Sequence, residues 1–314
     1  MESFVSPQDI LNDETFRFST PVEKPELLES IRTSGILTPL YVIQTDARYR
    51  PLSGFHRLEI ARTLSLEQIS VRIVDSAEIS RTFYQILLEQ SGHQPFNLME
   101  KARVVSIIKN HLLFEESITR IGPLLELPRE KDKLDRLAAL ADLPVSVQTY
   151  LETYPVPFKQ LNLLFRFDAE DQARLTRLGL DLQIRSVELF EMARLCLDIS
   201  KREKIAIPDV LERIDLPEIL DNGERTRNQK IDLIKIRLRV LQSPQVVQWN
   251  EAIHKAVRSM QLESNIRFSW DHQLEAPGVQ FSARLESEAD FEAFKSRINS
   301  PETEKQLKKI FEII

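Results

Sequence analysis

One turn in the chain carries the side chains best suited to chemistry. The segment Ser53–Arg57 reads Ser-Gly-Phe-His-Arg and joins a predicted strand to a predicted helix through the lone Gly54. Such a junction directs backbone N–H groups and the positive end of the helix dipole towards one point, and Arg57 adds a fixed charge there. The turn therefore predicts a phosphate-binding site. The alternative is an ordinary helix start whose arginine faces solvent.

The sequence around this turn predicts a small α/β module. A helical stripe of apolar residues between positions 27 and 36 stops at Gly35, a typical C-terminal cap. Alternating patterns predict strands over 39–44, 48–53 and 69–74, with a helix between the last two. The connections between these elements are very short.

The rest of the chain is dominated by helical periodicity. It runs from 97 to about 179 with a break at Gly122-Pro123 and others at later prolines, and it continues to about 219. The order helix, strand, strand, helix, helix closes the chain over 245–260, 265–270, 279–285, 288–298 and 302–314. We predict an α+β, mostly helical fold. Its four parts are a mixed α/β domain over 1–96, a helical domain over 97–180, a helical connector over 181–240 and a C-terminal αββαα domain over 241–314.

Composition excludes several classes of protein. The 314 residues include 42 Lys and Arg, 48 Asp and Glu and 42% hydrophobic residues, which is typical of globular proteins with two or three cores. Only 7 glycines occur, against about 22 at the usual share, which argues against an all-β fold. No apolar run approaches 18 residues and no signal-peptide pattern begins the chain, so we expect a cytoplasmic protein without a membrane partner. The lone Cys196 is expected to be a core residue, and the five histidines lack zinc-ligand spacing.

Three sequence blocks stand in the order found in one known family. The first covers residues 27–42, the second is Ser53–Arg57, and the third is Leu88–Ala102. They resemble, in turn, the helix, glycine, Gln-Pro-Ile and strand segment, the Gly-Glu-Arg-Arg phosphate motif and the Glu-Asn-x-x-Arg motif of ParB-type partition proteins. The N-terminal domain of that family shares a fold with sulfiredoxin, so the resemblance implies a ParB/sulfiredoxin-like domain here.

The resemblance continues into a helix-turn-helix pattern and covers about residues 15–180. Ile118-Thr119 stands like the start of the family's motif, Leu127-Pro128 like its turn and Leu143-Pro144 like the end of the helix after the recognition helix. The recognition helix would then be Arg129–Arg136. Gly122-Pro123 falls in the first turns of the preceding helix, so we expect the motif to be distorted there.

The resemblance implies a pocket for CTP, or another nucleoside triphosphate, with Mg²⁺. The residues implicated are Thr38, Pro39, Gly54, His56, Arg57, Glu89, Gln90 and His93, with Glu89 as the metal ligand. The chain departs from the family pattern where Phe55 replaces the motif glutamate, His56 the first arginine, Gln90 the asparagine and His93 the last arginine. Neutral histidines carry no permanent charge, so we expect weaker triphosphate binding and at most a weak triphosphatase.

Two enzymatic alternatives use the same turn. Gly54-Phe55-His56-Arg57 also resembles the Gly-Cys-His-Arg motif of sulfiredoxin, but Phe55 has no nucleophile, so sulfinic acid reduction is excluded unless Cys196 serves. A nucleotide-dependent phosphotransferase with Glu59 or Glu89 as its base stays open beside a structural role for each.

Two basic segments are candidates for DNA binding. The first is the recognition helix, with Arg129, Lys131, Lys133 and Arg136 against three acidic residues, and an ordinary solvated helix is its alternative. The second lies between 225 and 239, where six basic residues occur with a single acidic residue, Asp232. There we single out Arg227, Lys230, Lys235, Arg237 and Arg239 as phosphate contacts. Pairing with acidic neighbours is the alternative for this second segment.

Taken together, these features predict a ParB-like DNA-binding protein, switched by CTP or another nucleotide. It would act in partitioning, nucleoid organisation or transcriptional control as a nucleoid-associated, cytoplasmic homodimer on double-stranded DNA, with dimerisation assigned to 241–314. The alternatives are the phosphotransferase and a protein-binding adaptor with a decayed pocket. We also expect Gly35, Gly54, Gly92 and Gly122 to need a positive φ or a close backbone approach.

Overall fold

A computed structural model describes residues 2–20, 24–92, 94–272, 274 and 276–314. The chain divides into two compact units, an N-terminal unit over residues 1–181 and a C-terminal unit over residues 182–314. In the described part of the chain, no helix combines the length and the apolar character needed to cross a bilayer.

The N-terminal unit is built on a four-stranded sheet. Its strands are β1 (Glu2–Val5), β2 (Leu40–Thr45), β3 (Arg48–Pro51) and β4 (Ile69–Val74), in the order β1-β4-β2-β3. β2 and β4 are parallel and place Leu40 opposite Val71, while the other two pairs are antiparallel. The strands predicted over 39–44 and 69–74 are thus confirmed, and the strand predicted over 48–53 ends two residues earlier.

Three helices complete the predicted α/β module. They are α1 (Pro25–Ser34), α2 (Phe55–Thr63) and α3 (Ile79–Ser91). α1 ends at Gly35, whose φ of 69° confirms the predicted cap. Leu58 and Ala61 of α2 are buried and pack against the sheet, in one cluster with Leu40 and Val71. This contact fixes the position of the first turn of α2 over the ends of the central strands.

Six helices follow in the same unit. They are α4 (Leu98–His111), α5 (Phe114–Leu124), α6 (Lys131–Ala139), α7 (Val145–Thr153), α8 (Phe158–Leu164) and α9 (Ala169–Asp181). α4 begins with a capping box in which Asn97 and Glu100 bond each other's backbone N–H groups. Val104 and Ile108 of α4 share a hydrophobic cluster with Phe83 and Leu87 of α3, so one core joins the sheet module to the helices.

The helix break predicted at Gly122-Pro123 occurs one residue later, because α5 ends at Leu124. The expectation that Pro123 lies in the first turns of its helix is wrong, since it lies in the last turn of α5. The helix then closes as a Schellman motif, in which the N–H of Leu127 donates to the carbonyl of Gly122 at 2.9 Å and Glu126 takes a φ of 52°. The Schellman bonds satisfy the carbonyls of Gly122 and Pro123, and Pro123 leaves only the carbonyl of Thr119 without its usual i→i−4 donor.

The C-terminal unit confirms the predicted order of elements. Its helices and strands are α10 (Ser186–Glu203), α11 (Ile207–Arg213), α12 (Leu216–Asp221), α13 (Arg227–Gln242), α14 (Pro244–Ser259), β5 (Ile266–Trp270), β6 (Val279–Ala283), α15 (Glu288–Ile298) and α16 (Pro301–Phe311). β5 and β6 form an antiparallel pair with Phe268 opposite Phe281. Ile253, Met260 and Ile310 form the buried core between α14 and α16. Cys196 is fully buried in α10, as expected.

Only two of the four glycines singled out from the sequence require a backbone or a contact distance that other residues cannot adopt. Gly54 has a φ of 80°, and a Cβ placed on it would lie 2.7 Å from Cγ of Leu40. The expectation is therefore confirmed for Gly54 and, by its positive φ, for Gly35. It is wrong for Gly92, whose φ is −72°, and for Gly122, which has no atom within 4 Å of an added Cβ.

Gly54→Ala should lower the free energy of unfolding by about 2–4 kcal/mol, because it adds a clash with Leu40 to the strain of a left-handed alanine. Gly35→Ala should lose about 1–3 kcal/mol from backbone strain alone, since Gly35 has a φ of 69° and a ψ of −170° and its added Cβ meets nothing within 4 Å. Urea denaturation followed by circular dichroism measures both. The clash with Leu40 is isolated by repeating Gly54→Ala in a Leu40→Ala background, and an equal loss in the two backgrounds would contradict the close approach.

Candidate functional site

A cavity of about 740 Å³ lies in the N-terminal unit where the β3–α2 turn meets the end of α3 and the start of α4. Residues 18–20 line one side of it. Its lining consists of Phe18, Ser19, Thr20, Lys24, Leu27, Thr38, Tyr41, Ser53, Gly54, Phe55, His56, Arg57, Ile86, Glu89, Gln90, Gln94, Asn97 and Glu100. The tertiary structure thus brings together residues as distant in the sequence as Phe18 and Glu100.

The first turn of α2 forms the cavity's anion-binding end. Gly54 caps the helix in the left-handed conformation, and no described side chain accepts a hydrogen bond from the first N–H groups. Uncapped N–H groups and the helix dipole together favour a negative charge at this position. Lys24, His56 and Arg57 line the same cavity, and the charge of Lys24 acts on His56. The arrangement is suited to a phosphate or another anion.

Arg57 connects this turn to the loop before β2. Its Nη1 donates to the carbonyl of Thr38 and, at 3.5 Å, to that of Pro39. Burial lowers the pKa of Arg57, and the nearby carboxylate of Glu89 opposes that shift. The guanidinium nevertheless stays charged at neutral pH. Thr38 lines the cavity, whereas Pro39 is not among the described lining residues and contributes its carbonyl to Arg57.

His56 is neutral in this environment. Its Nε2 lies 3.1 Å from the carbonyl oxygen of Thr20, which only accepts, so Nε2 carries the hydrogen. Burial lowers the pKa of His56, and the positive charges of Lys24 and Arg17 lower it further. The position therefore offers a hydrogen-bond donor without a permanent charge, as expected from the sequence.

Two carboxylates face the cationic end. Glu89 and Gln90 both line the cavity, as predicted, while His93 lies outside the described residues. Glu100 also lines it although sequence reasoning did not select it; the Asn97-x-x-Glu100 capping-box spacing was the available signal. Glu100 is buried and accepts from the N–H of Asn97 at 3.0 Å, and burial raises its pKa.

Most of the residues that line the cavity lie in a segment that matches a known family. Residues 19–90, which contain the β3–α2 turn, Glu89 and most of the cavity lining, match the family model of the ParB N-terminal domain. The chain carries a ParB N-terminal domain. The predicted resemblance to ParB-type partition proteins is thereby confirmed.

Curated relatives of this ParB N-terminal domain extend the similarity beyond the matched model. Probable chromosome-partitioning proteins ParB of Borreliella burgdorferi and Xylella fastidiosa are 26% identical over 168 residues and 24% identical over 166 residues. These matches cover 53% and 52% of this chain. They cover 63% and 52% of the relatives, so the chain matches less than two thirds of the length of either one.

Solved ParB structures show a distant likeness. The C-terminally truncated ParB of Caulobacter crescentus, complexed with CTP-γ-S, is 18% identical and covers 56% of this chain and 97% of its own, with a TM-score of 0.26. The same protein complexed to the centromeric parS site is 17% identical and covers 61% of this chain and 98% of its own, with a TM-score of 0.30. A Pnob8-like ParB-N domain is 16% identical and covers 57% of this chain and 84% of its own, with a TM-score of 0.34. TM-scores at this level do not by themselves establish a common arrangement.

This ParB N-terminal domain uses Phe55 and Glu59 structurally. Phe55 is buried, and the Arg17 guanidinium stands 5.6 Å from the centre of its ring. Arg17 is buried as well and pairs with Glu59 at 2.5 Å and with Glu14 at 2.7 Å. The ion pair holds the segment before α1 against α2. Glu59, one of the two candidate bases, therefore serves the fold.

A chain of polar contacts leads from the cavity wall to the helices beyond it. Thr20 Oγ1 donates to Oε1 of Glu152 at 2.9 Å, and Arg103 Nη2 reaches the same oxygen at 2.7 Å. Arg103 also donates to Gln148 Oε1 at 2.9 Å. Gln148 in turn donates to two backbone carbonyls between α6 and α7. Polar side chains thus join the cavity wall to the segment between α6 and α7.

The predicted recognition helix begins two residues later than expected. α6 starts at Lys131, with Glu130 at its N-cap, and continues to Ala139. Leu134 and Leu137 are buried, so the opposite face of α6 is presented to solvent. Lys133 pairs with Glu130 at 2.7 Å, and Arg136 donates to Asn162 at 2.7 Å. The exposed cations on this surface are Arg129, Lys131, Lys133 and Arg136.

The basic segment on α13 is largely balanced by acidic partners within the C-terminal unit. Lys235 pairs with Glu188 at 2.8 Å, Arg237 with Asp215 at 2.7 Å and Arg239 with Glu191 at 2.5 Å. The two remaining candidates also have partners, Gln183 for Arg227 and the carbonyl of Leu220 for Lys230. DNA binding by this segment stays a prediction, and the ion pairs reduce the charge it can offer to phosphates.

The surface assigned to dimerisation is partly apolar. None of the residues of α15, all of which the structure describes, is buried, and Phe291 is 48% exposed. Phe311 of α16 is 59% exposed. Phe291 and Phe311 are exposed apolar side chains within the segment assigned to dimerisation, and the homodimer stays a prediction.

His56→Gln should flatten the dependence of the unfolding free energy on pH just below pH 6.5. The unfolded imidazole takes up its proton near its usual pKa of about 6.5, whereas the folded one requires a lower pH. The unfolded state therefore binds more protons in that window, and wild-type stability falls as the pH falls. Urea denaturation at several pH values between 7.5 and 5 measures the slope. An unchanged slope in the variant would contradict the assignment.

Proposed function

We propose that the N-terminal unit is a nucleotide-responsive DNA-binding module of a ParB-like partition protein. One observation carries this proposal: six of the eight predicted nucleotide-binding residues line a single cavity. The start of α2, which has no side-chain cap, belongs to the same lining. The match of residues 19–90 to the ParB N-terminal domain supports it independently. Partitioning, association with the nucleoid and homodimer formation are proposed for the protein as a whole, because the curated relatives are matched over only part of their length.

The proposed ligand is a nucleoside triphosphate, with CTP as the first to test because a Caulobacter crescentus ParB structure holds CTP-γ-S. A cavity of about 740 Å³ lies in the size range of small-molecule sites. The N–H groups at the start of α2, with Lys24 and Arg57, would receive the phosphates, while Thr38 and Tyr41 would stand towards the nucleoside.

Mg²⁺ fits the cavity only as an ion shared with the ligand. In the part of the chain that the structure describes, no three His, Cys, Asp or Glu side chains gather at one point. Mg²⁺ commonly uses one or two carboxylates and completes its shell with phosphate oxygens and water. Glu89 is the proposed carboxylate, since it lines the cavity near Arg57. The ion would neutralise phosphate charge there.

Chemistry on the nucleotide is proposed to be weak or absent. Phe55 places a buried ring where the family motif has a carboxylate, and Glu59 is held by Arg17. His56 adds a neutral donor in place of a second guanidinium. The cavity therefore lacks part of the charge that stabilises phosphoryl transfer. Ligand sensing is the better-supported role, and the phosphotransferase would require turnover that depends on Glu89.

The proposed DNA surface is the outer face of α6. Three exposed cations, Lys131, Lys133 and Arg136, lie on α6, and the exposed Arg129 lies just before it; all four can contact phosphates or guanine edges. The contacts through Thr20, Glu152, Arg103 and Gln148 give a physical route by which a ligand in the cavity would bias the position of α6. α13 is the second candidate because of its local charge, with most of that charge already paired.

Calorimetric titration should show one nucleotide site per chain, tightest for one of CTP, ATP and GTP in the presence of Mg²⁺. Arg57→Ala should weaken binding at least tenfold, because a charged hydrogen bond to phosphate contributes about 1.5–3 kcal/mol. Glu89→Gln should weaken the Mg²⁺-dependent part of the binding. Arg81→Ala is the control, since Arg81 is exposed on α3 and is not among the described lining residues. Absence of binding for all three nucleotides would overturn the proposal.

Wild-type protein should shift duplex DNA with an affinity that falls steeply with salt. Lys131→Gln/Arg136→Gln should weaken binding and reduce the log–log salt slope by about 0.9 for each phosphate that the variant no longer neutralises. Arg227→Gln/Lys230→Gln on α13 is the matched comparison and should keep most of the affinity. Weaker binding in the second variant alone would move the DNA surface to α13, and no shift at low salt would remove DNA binding altogether.

A further inference from the structure

The C-terminal unit places two of the chain's five histidines beside one tryptophan. His254 lies on α14, and His272 follows β5 directly after Trp270 and Asp271. The ring centres of His254 and Trp270 are 4.7 Å apart, those of Trp270 and His272 4.6 Å, and those of the two histidines 5.9 Å. Both histidines are exposed, so burial of apolar surface does not account for their proximity.

Asn250 determines which ring nitrogen of His272 carries the hydrogen and which keeps a lone pair. Its Nδ2 donates to the backbone carbonyls of Val246 and His272 at 2.9 and 2.8 Å, and its Oδ1 accepts from Trp270 Nε1 at 2.7 Å. Because Trp270 Nε1 can only donate, the Asn250 atom that it contacts is the amide oxygen. His272 Nδ1 lies 3.3 Å from that oxygen and must carry a hydrogen to bond it. The lone pair of His272 is therefore on Nε2.

A neutral histidine with an oriented Nδ1–H is the arrangement that metal-ligating histidines use. Here the orienting acceptor is an amide oxygen that is itself held by Trp270 and by two backbone carbonyls. The ring orientation of His272 is therefore set before any ligand arrives, which reduces the entropy that binding must overcome.

The spacing of the two rings fits one metal ion. A metal–nitrogen bond of about 2.0–2.1 Å places each imidazole centre roughly 3.2 Å from the ion. Two such rings at angles between 90° and 180° have centres about 4.5–6.4 Å apart by the same geometry. The observed spacing of 5.9 Å lies within that range, and the two ring planes are 26° apart. His254 is exposed and can rotate about its side-chain bonds to turn a nitrogen towards the ion, while Asn250 holds His272 in place.

We propose that His254 and His272 form a two-histidine site for a divalent transition-metal ion of the class that prefers imidazole, namely Cu²⁺, Ni²⁺ or Zn²⁺. Among the described residues no cluster of three such ligands exists anywhere, so water would complete the coordination shell and binding would be reversible. The site lies in the C-terminal unit and does not depend on the proposed nucleotide or DNA function.

Fluorescence of Trp270 tests the site directly in the tag-free full chain. Trp249, the only other tryptophan, is replaced by phenylalanine so that the emission comes from Trp270 alone. Cu²⁺ should quench this emission with one-site saturation, and Zn²⁺ should bind with the same stoichiometry by calorimetry. His254→Gln and His272→Gln should each weaken binding at least tenfold. Asn250→Ser should weaken it about 10–100-fold, as loss of an orienting partner does.

Two controls keep the proposal falsifiable. His111→Gln removes a histidine of the N-terminal unit and should leave metal binding unchanged. Nuclear magnetic resonance of the histidine side chains in the unsubstituted protein should show Zn²⁺ on Nε2 of His272, which does not rely on any variant folding. The proposal is overturned if His254→Gln/His272→Gln binds as tightly as the wild type, or if Zn²⁺ appears on Nδ1 of His272.

Discussion

The close approach of Gly54 to Leu40 is the constraint on which the candidate site depends. An added Cβ would stand 2.7 Å from Leu40, and the backbone adopts a left-handed conformation to make the turn. This approach lets α2 begin directly at the end of β3 while Leu58 and Ala61 pack on the sheet. The uncapped N–H groups of α2 therefore open into the cavity, and the anion-binding end exists because the core beneath it is tightly packed.

Arginine contacts hold the irregular segments around the cavity. Arg57 binds the carbonyls of the loop before β2, Arg17 joins the segment before α1 to α2, and Arg103 shares Glu152 with Thr20. Each guanidinium has several donors in a fixed plane, so one side chain can satisfy carbonyl or carboxylate oxygens from two segments. In this way the domain combines a polar cavity with ordered walls, although Phe55 and His56 have replaced charged residues of the family motif.

Much of the architecture could be predicted from the sequence because it follows local periodicity. The alternation over 69–74 and the helical stripe that stops at Gly35 indicated β4 and α1, and the αββαα order of the last 70 residues was predicted in the same way. The errors arose where contacts between distant residues decide. Glu100, which the sequence did not single out, joins the cavity because α4 packs beside α3.

The sequence by itself determined the elements, the β3–α2 turn and the similarity to ParB-type proteins, since these depend on residue types and short spacings. Only the tertiary structure decided which charges are available. The six basic residues between 225 and 239 carry a clear local excess in the sequence, yet folding places Glu188, Glu191 and Asp215 beside three of them. Likewise His254 and His272 are 18 positions apart and become neighbours only when β5 packs against α14. Electrostatic and coordination chemistry act through space over a few ångströms, and sequence separation does not report that distance.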